Sequence, residues 1–104
     1  MQYDVYKNRN AASNKRFPFL LDVQAGLLEE LDTRVVVPLA SKELFAGKIL
    51  TRLMPLLEIV GVELVAVTPQ MAGIAKRELG ECVGNLGLAR QEIIAALDLL
   101  FTGV

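Results

Sequence analysis

Histidine is absent from the chain. That removes Ser-His-Asp and Cys-His nucleophile systems and the commonest metal ligand. Few other residues could do chemistry. Cys82 is the single cysteine, so no intramolecular disulfide can form. The charge of neighbouring Glu81 opposes a thiolate there, and a structural role is expected. Glu29-Glu30 is a carboxylate pair of the kind that can share acid and base work. On a short exposed segment it reads instead as a solvated face, as do Glu78 and Glu81. Arg52 beside Thr51 has the elements of a phosphate-holding or acid–base pair for RNA cleavage, but the basicity around it is modest. Gly80, Gly84 and Gly87 lack the strand–turn–helix setting and the Lys-Ser/Thr ending of a phosphate loop. Lys7, Arg9, Lys15 and Arg16, set among Asn8, Asn10 and Asn14, read first as a solvated, mobile loop and second as a docking patch. No catalytic residue, cofactor or metal site is expected, which points to binding. Binding would use exposed apolar or small residues, and Phe101-Thr102-Gly103-Val104 qualifies. It is placed by a helix and ends on a free carboxylate; the alternative is a frayed tail tucked onto the body.

Several elements must position these residues. Met1 to Tyr6 alternates with period two and reads as a strand. A polar loop, Lys7 to Arg16, leads to a second alternating stretch, Phe17 to Gln24, so the two predict a long hairpin. Ala25-Gly26 breaks the pattern, and Leu27 to Leu31 runs into a turn at Asp32. Val35-Val36-Val37 predicts a buried strand, with Pro38 ending ladder donation. Ser41 predicts an N-capped helical turn over Lys42 to Phe45. Leu56 to Val60, Gly61 and Val62 to Thr68 predict a second hairpin. Gln70 to Leu79 is ambiguous: Ala72, Ala75, Lys76, Arg77 and Glu78 favour helix by propensity, and pattern alone does not decide. Leu86, Ile93, Ile94, Leu97, Leu100 and Phe101 recur at helical spacing, and Gly103 sits where a left-handed glycine stops a helix. The sum is α+β, or a small barrel with one attached helix.

The chain is 104 residues, expected to be one domain over 1–104. Apolar residues make up 53% and charged residues 22%, which excludes disorder for the body. So much apolar surface on a small domain predicts that part of it is buried in a homodimer. The net charge of −1 opposes tight non-specific nucleic-acid binding, which needs many Lys and Arg. Met1-Gln2-Tyr3-Asp4 lacks the regions of a signal peptide, and no apolar run has the length of a membrane span. A cytoplasmic protein without a membrane partner is expected.

Met1-Gln2-Tyr3 with Val5-Tyr6 resembles the opening of the CcdB toxins, and Asp22-Val23-Gln24 resembles the close of their second strand. Val37-Pro38-Leu39-Ala40-Ser41 is similar to the family's central strand and turn. Pro55, Met71-Ala72 and Gly80-Glu81 fall at compatible spacings. Ala95-Ala96-Leu97-Asp98 leading to Phe101-Thr102-Gly103-Val104 looks like the family's helix and tail. The resemblance runs over essentially the whole chain and rests on order and spacing together. It implies a mainly β, SH3-like antiparallel barrel with a small extra sheet and one C-terminal helix, shared with the MazF/Kid toxins, and a homodimer. It makes Ile74 to Leu79 partly extended, against helical propensity.

The resemblance also implies a function. CcdB-like toxins bind the A subunit of DNA gyrase and trap the enzyme on cleaved DNA. A CcdA-type antitoxin removes them with a disordered segment, and DNA is met only through gyrase or the antitoxin complex. The implied gyrase-facing residues are Leu27, Leu28, Asp98, Phe101, Thr102, Gly103 and Val104. Two positions depart from the family pattern. Thr102 stands where a tryptophan often precedes the terminal glycine and stacks on an arginine of gyrase, and Asp98 stands where an amide is common. A lost cation–π contact is worth about 2 kcal/mol, or roughly thirtyfold in affinity. Two alternatives stay open on the same fold: a MazF-like sequence-specific endoribonuclease, and an inactive homologue that binds an antitoxin.

Overall fold

The computed structural model describes residues 1–45 and 52–103. Within them lie seven strands: β1 (Asp4–Asn8), β2 (Phe19–Asp22), β3 (Thr33–Ser41), β4 (Leu56–Ile59), β5 (Val62–Ala66), β6 (Ala72–Ala75) and β7 (Leu79–Asn85). One α-helix follows, α1 (Arg90–Thr102). No helix among the described residues is long and apolar enough to cross a membrane. All strand pairs are antiparallel, in the order β4-β5-β3-β2-β1-β7, with β6 branching from β3. The sheet curls into a half-barrel and carries the helix. The fold is therefore α+β and mainly β.

β3 organises the sheet. Six of its residues, Val36 to Ala40 and Arg34, are buried, the near-continuous pattern of a strand covered on both faces. Along one edge Phe19 to Asp22 pair with Leu39 to Val36. On the other edge the partner changes: Thr33 to Val36 meet β6, and Leu39 to Ser41 meet β5. The expected extra sheet is thus a branch from one long strand. Pro38, expected to end ladder donation, only interrupts it, since pairing continues from Leu39 to Ser41. It falls in the gap between those two partners, where its carbonyl accepts from Val67 N at 2.9 Å. In an antiparallel pair a residue's N–H and C=O point the same way, so the missing N–H costs neither β5 nor β6 a regular rung.

Alternate residues feed opposite faces. Val37, Leu39, Leu64 and Ala66 join Val5, Leu21, Leu57, Ile59, Leu86 and Ile93 in the main core. Ala40, Val65 and Val67 turn the other way and pack with Met54. Complete burial of each large aliphatic side chain contributes about 1.5–3 kcal/mol. The β4–β5 hairpin closes through Val60 (φ 54°) and Gly61 (φ 75°), the two positive φ values of a type I′ turn. Gly84 lets the two edges of the curl approach: a Cβ there would lie 2.6 Å from Ile59 Cδ1.

Two local expectations change, and one left open is decided. β1 starts at Asp4, because Tyr3 takes a positive φ of 70° and turns the first residues back. The loop after β1 is folded by its asparagines: buried Asn8 donates from Nδ2 to Ser13 Oγ (3.0 Å) and the Phe17 carbonyl (2.9 Å), and accepts from Asn10 N (2.9 Å). Residues 72–85 are extended apart from a short 3-10 turn at Lys76–Glu78. The free edges of β3, for β6, and of β1, for β7, supply hydrogen bonds that outweigh helical propensity, as the resemblance implied for Ile74 to Leu79.

Candidate functional site

The last turn of α1 holds four of the expected residues together. Asp98, Phe101, Thr102 and Gly103 are all exposed, with Phe101 at 70%. Gly103 is left-handed (φ 76°), and its N–H donates to the Leu99 carbonyl at 3.0 Å. This is the expected glycine stop. Thr102 Oγ1 donates to the Asp98 carbonyl at 2.7 Å. Val104 lies outside the described residues.

The expected apolar stripe of the helix divides in two. Ile93 and Ala96 are buried, and Leu97 packs against the core from a half-buried position. Ile94 is 44% exposed, and spacing of four and seven residues puts it on one face with Asp98 and Phe101. That outward face runs 94–98–101, so Ile94 is a candidate contact that the sequence reading did not single out.

Leu27 and Leu28 sit on a separate 3-10 turn, Gly26–Leu28, exposed by 97% and 47%. Among the described residues this turn makes at most slight contact with α1. Side chains so open forgo most of the transfer free energy that burial would yield, and exposed apolar groups of this size mark contact surfaces when they cluster.

A buried polar network holds the Leu27–Leu28 turn. Asp22 is fully buried and Arg34 is 2% exposed. Arg34 Nε donates to Asp22 Oδ2 at 3.0 Å, Nη2 donates to the Gln24 carbonyl at 3.4 Å, and the Nη2–Oδ2 ion pair is 2.7 Å. Asp22 Oδ1 accepts from Gln24 N at 3.0 Å. Gln24 in turn accepts from Val35 N and donates to the Leu28 carbonyl, both at 2.9 Å. Glu29 closes the outer side: its carboxylate lies 3.2 Å from the Met1 ammonium and 3.2 Å from Arg34 Nη1. Lys76 Nζ donates to the Glu29 carbonyl oxygen. Glu29 is therefore a tether, and only its neighbour Glu30 keeps the simple solvated role expected for both.

The charges in this network shift titrations accordingly. The hydrogen bond from the Met1 ammonium, aided by the charges of Arg34 and Lys76, holds Glu29 below the usual carboxylate value. Burial raises Asp4, but hydrogen bonds from Asn85, Met1 and Tyr6 outweigh it and lower the group overall. Burial, then the Asp4 charge, push Tyr6 up to about 12.

The remaining chemical candidates stay dispersed. Cys82 is exposed on β7, its thiol 3.5 Å from the Gly84 carbonyl, so it is not a core-packing residue. Lys7 pairs with Glu81 at 3.1 Å, Arg9 donates to the Arg77 carbonyl at 3.4 Å, and Arg16 lies 5.3 Å from the Phe17 ring centre. Much of the basic cluster is thus engaged within the chain. Arg52 is exposed, and Thr51, its proposed partner in RNA cleavage, lies outside the described residues. Residues 2–103 match the family model described as CcdB protein.

Proposed function

The chain belongs to the CcdB family of toxin–antitoxin toxins, and from that premise we propose that it binds the A subunit of DNA gyrase and traps gyrase on cleaved DNA. It acts as a wedge that favours one state of its target, a shift of populations that needs only differential affinity. The contact set is Leu27, Leu28, Asp98, Phe101, Thr102, Gly103 and Val104, to which Ile94 adds an apolar edge. The toxin works as a homodimer that brings two helix tails together, and a CcdA-type antitoxin withdraws it from gyrase. The observation that carries this reading is the open Phe101, 70% exposed two residues before the glycine that ends the helix. A bulky aromatic on a rigid support, beside backbone that lacks a Cβ, suits insertion into a partner's pocket.

The test is truncation. Removing Gly103 and Val104 should abolish stabilisation of gyrase-cleaved DNA and toxicity in a sensitive bacterium, while the circular dichroism spectrum stays native. Undiminished killing by the truncated chain would refute the tail assignment.

A further inference from the structure

We propose that the pocket over Arg34 is a carboxylate site, filled in the free protein by Glu29, that accepts an acidic side chain from a peptide partner. The inference does not depend on gyrase being the target. The pocket has a volume of about 290 Å³ and is lined by Met1, Tyr6, Glu29, Arg34, Lys76, Leu79 and Gly80. Its floor is the guanidinium of Arg34, 2% exposed. Asp22 accepts from Nε and pairs with Nη2, which donates to the Gln24 carbonyl, leaving Nη1 facing Glu29.

Glu29 fills this place imperfectly. Its carboxylate is 3.2 Å from Nη1, yet Nη1 has no hydrogen-bond partner and is closed to solvent. A guanidinium offers its donors in a fixed planar fork, and a buried donor left unmade is costly. An incoming carboxylate free to align in that plane would satisfy Nη1, with Lys76 as a second cation at the rim. Glu29 is also well placed to yield. It is half exposed, and residues 25–32 around it are all exposed. The charge balance favours a monoanion: Asp22 and Asp4 already lie on the Met1 ammonium, at 3.3 and 3.4 Å, so a phosphate dianion meets more repulsion than a carboxylate does.

The occupant lowers apparent affinity by the fraction of time it fills the site, and that makes the idea testable. The probe is the peptide acetyl-Gly-Glu-Gly-amide, titrated into the full chain and followed by the Arg34 Nε–H resonance. Its Gln counterpart and inorganic phosphate serve as comparisons. Glu29→Ala should bind the Glu peptide about tenfold tighter than the parent if Glu29 fills the site about nine-tenths of the time. Lys76→Ala, at an exposed position in the parent background, should weaken binding severalfold and keeps the test open should Glu29→Ala fail to fold. Equal affinities for parent and Glu29→Ala, equal binding of the Gln peptide, or tighter binding of phosphate would each overturn the proposal.

Discussion

Replacing Asp22 by alanine would strand a guanidinium inside the sheet, and the size of the penalty follows from its contacts. Arg34 loses a hydrogen bond at 3.0 Å and an ion pair at 2.7 Å to one carboxylate oxygen, and Gln24 N loses its acceptor. Removing one partner of a buried ion pair costs about 3–5 kcal/mol. Glu29 remains 3.2 Å from Nη1 but is half exposed, so it offsets only a part. A loss of about 3 kcal/mol is expected, against roughly 5–15 kcal/mol for a whole domain. With a urea slope of about 1–3 kcal/mol per molar, the unfolding midpoint should fall by roughly 1–3 M at constant protein concentration. Replacing both residues by apolar ones, Asp22→Leu with Arg34→Met, should recover most of the loss, since no charge is then left unpaired. The reasoning fails if Asp22→Ala stays within about 1 kcal/mol of the parent, or if the double variant is no more stable than the single one.

Three further outcomes are expected. Glu29 and Asp4 are both held below their ordinary values of 4.5 and 3.8, so they contribute stability above those values that is lost as pH falls through the lower folded values. Chemical denaturation from pH 6 to 2 should show that loss, and Glu29→Gln should flatten the upper part of it. Gly84→Ala drives a Cβ to 2.6 Å from Ile59 Cδ1 and should cost about 1–3 kcal/mol, with Ile59→Val in the same chain returning part of it in thermal melts. Thr102→Trp, at an exposed position, should strengthen gyrase binding by about thirtyfold if it supplies a cation–π contact worth about 2 kcal/mol. Calorimetry with the gyrase A subunit reads that change, and an unaltered affinity would place residue 102 off the contact.

Features set by neighbours in the chain were legible in the residues alone. The period-two stretch around Phe19 to Asp22, the Val35–Val37 strand, the hairpin turned at Gly61 and the helix stopped at Gly103 all depend on alternation or on φ preference, and each lies where expected. The place of Phe101 and Thr102 in the last helical turn was legible for the same reason. What pairing and packing decide was not. Helical propensity over residues 72–75 gave way to extended structure because β3 offered an unpaired edge. Pro38 stayed inside a strand because the partner changes there. Ile94 and Ile93 are adjacent in sequence with the same hydropathy, and only the position of the sheet leaves one open and the other closed. Arg34 and Asp22 lie 12 residues apart, with nothing local to couple them. The antiparallel register that sets Asp22 opposite Val36 brings the two charges together, since the energy of a buried ion pair depends on distance and desolvation, which chain order does not carry.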